Sequence, residues 1–257
     1  MAEQTETLRR VPLNRDRVLR TAVTLADDIG IESLSMRKLA QELGVVPMAL
    51  YKHVTNKDEL LDGMIDVVVR EIDPPEDGTD WKAAIRQRIL AARRTMLRHP
   101  WASRAIETRQ VPTPAVLAYL DAMIGAFRTG GFSADLTHHV VHAMGSRILG
   151  FTQELFTPQA APADSTVVAR ELTSTYPHLA EIAMAAAHED TSVVGSGCDD
   201  QFEFEFALDL LLDGFERLHE QHWTSAPRAR GHHAGQAPAH KRREPVSDRP
   251  ELGRTGF

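Results

Sequence analysis

The chain has 257 residues, 42% of them hydrophobic and 6% aromatic, with a formal net charge of −7. That length can bury one large core or two smaller ones, and the negative balance excludes a protein that coats nucleic acid indiscriminately, because such binding rests on summed phosphate neutralisation. The single cysteine, Cys198, excludes an intramolecular disulfide framework and fits a reducing compartment, so a cytoplasmic location is expected.

The N-terminal stretch MAEQTETLRR has no apolar signal core, and nothing approaches the roughly 18 uninterrupted apolar residues of a spanning helix, so no membrane partner is expected. No alternating run rich in Val, Ile and Thr stands out, so the fold class reads as all-α.

Residues 1–12 read as a flexible arm. Asn14 can cap a helix over 15–29, with Val18, Ala22, Leu25, Ala26 and Ile29 on one stripe and Gly30 as its stop. Ser35 can cap a second helix, 36–43, ended by Gly44. Pro47 then opens a third of about two turns, and a fourth runs from Lys57 to about Ile72. The Pro- and Asp-rich stretch 73–78 marks a boundary, placing one domain over 13–73 and a second over 74–220. Helical patterns follow at 81–98, 114–128, 133–155, near 177–188 and, strongly apolar, at 202–219. Residues 221–257 read as a disordered, mildly basic tail.

The local charge differs from the global one. Between residues 9 and 57, Arg9, Arg10, Arg15, Arg17, Arg20, Arg37, Lys38, Lys52 and Lys57 outnumber the acids. Two short helices joined by a tight turn at Gly44, with Leu39, Leu43 and Leu50 facing the first helix, form a helix-turn-helix whose second helix can enter a major groove. Neither is long enough to be stable alone, so both depend on the three-helix core.

The stretch LSMRKLAQELGVVPMALYKHVTNKDELLDGMID resembles the TetR family of bacterial regulators, and within it the tetracycline-repressor branch. Weaker likeness continues through TGGFS, GSRILG and FEFALDLLLDGFERL, so the resemblance covers roughly residues 13–219. It implies an N-terminal helix-turn-helix domain joined to a larger helical ligand-binding and dimerisation domain, with no catalytic residue and no cofactor.

The DNA-contacting set it implies is Ser35, Arg37, Lys38, Pro47, Met48, Ala49, Tyr51, Lys52, His53 and Lys57. Arg37 suits a guanine edge, and Tyr51, Lys52 and His53 suit phosphates and the groove wall. Lys57 suits a phosphate at a helix start, and the apolar trio Pro47, Met48 and Ala49 suits thymine methyls. For the ligand, the candidates are Met96, Trp101, Met123, Phe127, His138, Val141, His142, Phe151 and Glu154, since such pockets are apolar with a few polar anchors. The implied partners are a palindromic double-stranded DNA operator, a small and largely apolar inducer, and a second copy bound through the 133–155 and 202–219 helices.

Two alternatives stand beside this reading. His138 and His142, four apart on a helix, can share a face and hold zinc, which would make the chain a metal-binding protein or metalloenzyme. No His-Glu-x-x-His pattern or nearby cysteine accompanies them, so no metal site is assigned. The other is an activator of the same family.

Overall fold

The structure is a computed structural model and describes residues 12–151, 175–178, 181 and 200–225. Helix starts follow from short polar side chains that accept an otherwise orphaned backbone N–H. Asn14 accepts from Arg17 N at 2.8 Å and opens α1 (Arg15–Ile29). Ser35 accepts from Lys38 N at 3.2 Å and opens α2 (Met36–Leu43). Gly44, at φ 66° and ψ 35°, ends α2 with its own N–H on Gln41 O and the Val45 N–H on Ala40 O, a closure that places the chain in the left-handed region.

Pro47 then opens α3 (Pro47–Leu50), which is a single turn rather than the expected two. Its end is a turn over 51–53, with His53 N and Val54 N both donating to Leu50 O at 2.8 and 3.0 Å. Asn56 accepts from Glu59 N at 2.8 Å and opens α4 (Lys57–Val69), which stops before the expected Ile72 although that side chain is buried.

Asp80 caps α5 (Trp81–Arg98). The following helix, α6 (Pro100–Glu107), is absent from the sequence expectation. Pro100 cannot continue α5 because it lacks an N–H, yet its fixed φ suits a first helical position, so the chain turns at His99 and restarts. Then come α7 (Pro114–Thr129) and α8 (Ala134–Met144), the latter capped by Ser133.

The continuous 133–155 helix is a further correction. Gly145 leaves the helical region at φ 52° and ψ −132°, a 3-10 segment covers Gly145–Leu149, and Gly150 turns left-handed at φ 78°. A Cβ at residue 150 would stand 2.3 Å from Arg93 N, so the chain comes that close to α5 only as glycine. Residues 152–155 lie outside the described residues, as do most of 177–188 and the tail from 226.

The last described helix is α9 (Asp200–Glu220). Its Phe204, Leu208, Leu212 and Phe215 join the core, where Trp81, Phe127, Phe132 and Phe215 form an aromatic cluster with ring centroids 4.6–6.2 Å apart. Among the described residues the architecture is helical throughout, in agreement with the all-α reading.

Candidate functional site

Leu39, Leu43 and Leu50 are buried in the core that also holds Val18, Ala22 and Ala26 of α1, so packing alone fixes which sides of α2 and α3 face outward. Those outward sides carry the expected set. Ser35, Arg37, Lys38, Pro47, Met48, Tyr51, Lys52 and Lys57 are exposed, and Ala49 and His53 are half-buried. Met48 is 72% exposed and Val46, which sequence reasoning passed over, 67%. Exposed apolar side chains side by side at the start of so short a helix are not packed into the core of the described residues.

The cations of this face are not used internally. The side chains of Arg37, Lys38, Lys52 and Lys57 make no ion pair among the described residues. By contrast, Arg20 is held by Asp16 at 2.9 Å and Arg15 by Glu59 at 3.2 Å, both on the flanks of α1. Glu59 also accepts from Thr55 N at 2.7 Å and from the Thr55 hydroxyl, and these bonds, with Arg15 beyond them, hold its carboxyl below the ordinary carboxylate value. Glu59 thus fixes the turn between α3 and α4 while leaving the first residue of α4, Lys57, free to point at solvent.

Carboxylates of α1 and α4 tie this unit to the helices that follow. Asp66 accepts from Ala115 N at 3.0 Å and so caps the start of α7, and Asp62 pairs with Arg109 at 3.0 Å. His99, at the corner between α5 and α6, places Nδ1 2.9 Å from Asp27 and Nε2 3.1 Å from Glu71, and Trp101 Nε1 donates to Asp27 at 2.7 Å. These bonds join the α5–α6 corner to α1 and to the residue just beyond α4.

The nine ligand candidates are spread through the bundle. Met96, Met123, Phe127 and Phe151 are buried, Phe127 within the aromatic cluster. Trp101 is buried but turned toward Asp27. His138 and His142 are exposed and Val141 half-buried, on a surface cleft of about 400 Å³ shared with Ile124, Arg128 and Thr137. Glu154 lies outside the described residues. The two histidine rings approach to 4.6 Å, but among the described residues no group of three or more His, Cys, Asp or Glu side chains is placed to hold a metal ion.

Sequence reasoning missed Asp27, Glu71 and His99, whose partners are far apart in the chain. It also missed Arg88, which a helical count could have found: it shares a stripe with Ile85, Ala92 and Thr95, all buried.

A capped helix-turn-helix with free cations on its outer side, carried on a helical bundle, defines a DNA-binding regulator of transcription. The sequence matches the profile of the bacterial regulatory proteins of the tetR family over residues 18–64 and that of the tetracyclin repressor-like C-terminal domain over residues 74–219. The chain belongs to the TetR family, whose members are transcriptional regulators rather than enzymes.

The HTH-type transcriptional repressor DrrR1 of Streptomyces coeruleorubidus is 31% identical over 216 residues, covering 80% of this chain and 78% of that protein. The class C tetracycline repressor protein of Escherichia coli is 29% identical over 209 residues, covering 80% and 92%. Among solved structures, the Streptomyces coelicolor TetR family protein ActR in complex with actinorhodin matches with a TM-score of 0.60 at 28% identity, over 80% of this chain and 98% of that one. Among the described residues no helix is long and apolar enough to cross a membrane.

Proposed function

We propose that this chain is a repressor that acts as a homodimer in the cytoplasm and is released from a palindromic operator by a small, largely apolar molecule. The observation that carries the reading is the outer side of α2 and α3, where Arg37, Lys38, Met48, Tyr51 and Lys52 are exposed, the cations make no ion pair among the described residues, and buried leucines hold the two helices in place. In this reading residues 13–73 bind DNA and residues 74–220 bind ligand and partner. Arg37 reads a guanine edge; Pro47, Met48 and Ala49 meet thymine methyls. Ser35, Lys38, Tyr51, Lys52, His53 and Lys57 set the register on the phosphates and the groove wall.

Dimerisation is supported by the second apolar stripe of α9. Phe202, Phe206 and Leu210 lie four apart and are exposed, opposite the stripe that enters the core. A two-fold assembly places two recognition helices about one DNA turn apart, roughly 34–36 Å, which is what a palindromic operator requires. The bundle acts on them through the Asp27–His99–Glu71 corner and the Asp66 cap of α7. Ligand shifts the balance only to the extent that it binds the released arrangement more tightly than the DNA-bound one.

The test is selection of duplexes from a random pool by the purified full-length protein at moderate ionic strength, followed by affinity measurements on the enriched sequence. A palindromic consensus bound by a dimer supports the reading, and equal retention of all duplexes overturns it. Because ActR has been solved in complex with actinorhodin, that compound is the first to try for release.

A further inference from the structure

Most cations that face another element of the bundle have been given a carboxylate. Lys82 pairs with Asp213 at 2.7 Å and Glu216 at 2.6 Å, and Arg86 with Asp209 at 2.7 Å and Glu205 at 2.6 Å. Arg93 pairs with Asp200 and bonds Gln201 at 2.9 Å, and Arg109 pairs with Asp62. Arg88 and Arg147 are the exceptions. The Nε of each is closed off from solvent and has no acceptor, and neither forms an ion pair among the described residues.

These two arginines belong to one region. The Arg88 guanidinium lies 5.0 Å over the ring of Tyr119, a buried residue of α7. The hydroxyl of Tyr119 donates to Ile148 O at 2.6 Å, and Ile148 follows Arg147 in the chain. Ser146, on the other side of Arg147, has a hydroxyl that is also buried and without a partner. Helical phase explains the placement: Arg88 stands on the α5 stripe of Ile85, Ala92 and Thr95, turned away from Arg86 and the acidic side of α9.

A guanidinium keeps its charge at any ordinary pH, so it cannot relieve burial by losing a proton as lysine can. Two half-buried arginines, each with a shielded Nε and no anion among the described residues, together with the unpartnered Ser146 hydroxyl, are an unfavourable arrangement unless something else supplies acceptors. The planar fork of arginine matches a carboxylate with two parallel hydrogen bonds. The neighbouring positions on α5 and α7 are apolar, with Ile85, Ile89 and Met123 fully buried.

We infer that the ligand is an organic acid with an apolar body, whose anionic group is bound by Arg88 and Arg147 next to Tyr119 and Ser146. This rests on the ligand-responsive reading above and narrows the class of compound it takes.

The experiment titrates the full-length chain with matched pairs, 1-naphthoic acid and 9-anthroic acid against their methyl esters, by calorimetry. At least one acid is expected to bind about tenfold or more tightly than its ester, as charged hydrogen bonds allow. Arg88→Gln and Arg147→Gln should each weaken the acid about tenfold and leave the ester unchanged, and Arg88→Lys should retain part of the preference. Circular-dichroism melts verify folding, and should one glutamine variant fail to fold, the other and Arg88→Lys decide. No acid bound better than its ester, or a preference that survives in the folded arginine variants, overturns the inference.

Operator retention is measured on the same samples by fluorescence anisotropy. An acid bound through the arginines that leaves the protein on DNA upholds this site and removes the ligand-responsive reading. An ester that releases DNA as well as its acid does the reverse.

Discussion

His99 joins segments that lie far apart in the chain. Its ring is nearly buried, and each nitrogen is within hydrogen-bond distance of a carboxylate, Asp27 on α1 and Glu71 just beyond α4. Replacing it with alanine leaves two carboxylates facing a gap, with Arg98 still on Glu71 at 3.4 Å and Trp101 still on Asp27. Hydrogen bonds to charged groups contribute about 1.5–3 kcal/mol each where solvent is excluded, and both acids here keep some exposure, so His99→Ala should lower stability by about 1–2 kcal/mol. A thermal melt measures that. The more telling readout is coupling, because the variant should still bind operator DNA while responding less to ligand. A variant with full release by ligand would show that α6 signals by another route. The DNA-contacting set poses a separate question at this scale. Arg37→Ala should cost about 1–3 kcal/mol on the selected operator and blur one position of its consensus, whereas Lys57→Ala should weaken all duplexes alike and flatten the salt dependence by about one unit. Equal slopes and unchanged selectivity in both variants would remove those assignments.

At the scale of the helices, α1 and α4 cross at a glycine. A Cβ on Gly63 would stand 2.6 Å from Cδ2 of Leu19, and Leu19 is itself buried, so the side chain has little room to withdraw. Gly63→Ala should therefore push the two helices apart and cost about 1–3 kcal/mol as overpacking, despite the better helix propensity of alanine. A melting temperature equal to or above that of the parent would contradict this. The α5–α9 contact makes a prediction about pH. The Gln201 amide and, after it, the Arg86 guanidinium hold the Glu205 carboxyl below its ordinary value, so the folded chain resists protonating it. The stability this brings is present above the unfolded carboxylate value and is lost as pH falls through the lower, folded one. Both partners are about a third exposed, which limits the effect to under about 1 kcal/mol. Melting measured from pH 6 down to pH 3 should fall less steeply in Glu205→Gln. The starts of α1 and α2 were legible in the sequence at this scale because Asn14 and Ser35 act within three residues of themselves. The short helix after Pro100 and the break at Gly145 were not: the first is only eight residues long, and at the second apolar spacing runs on, so that only the approach of Gly150 to the α5 backbone explains the turn. The outer side of α2 and α3 was readable for the same local reason, while Arg88 and the His99 corner depend on partners 28 to 72 positions distant.

For the whole molecule, what matters is that α9 is apolar on two sides. Phe204, Leu208, Leu212 and Phe215 close the core of the chain, and Phe202, Phe206 and Leu210 continue outward at a spacing of four. An aligned exposed stripe of this kind on a long helix is stable in water when a second surface covers it, and an identical copy offers the matching stripe by two-fold symmetry. Leu210, 57% exposed, makes no contribution to the interior that its loss would disturb. Leu210→Glu should therefore leave the melting of the isolated fold little changed while placing two like charges across the symmetry axis, and sedimentation should show a monomer at concentrations where the parent is a dimer. The effect on DNA follows from geometry alone: a monomer reaches one half-site, so it forfeits the contacts of the second and most of the preference for a palindrome over a single half-site. A variant that stays dimeric and keeps full operator affinity would mean that the copies meet elsewhere, with the cleft of Ile124, His138 and Val141 on α7 and α8 as the next surface to change.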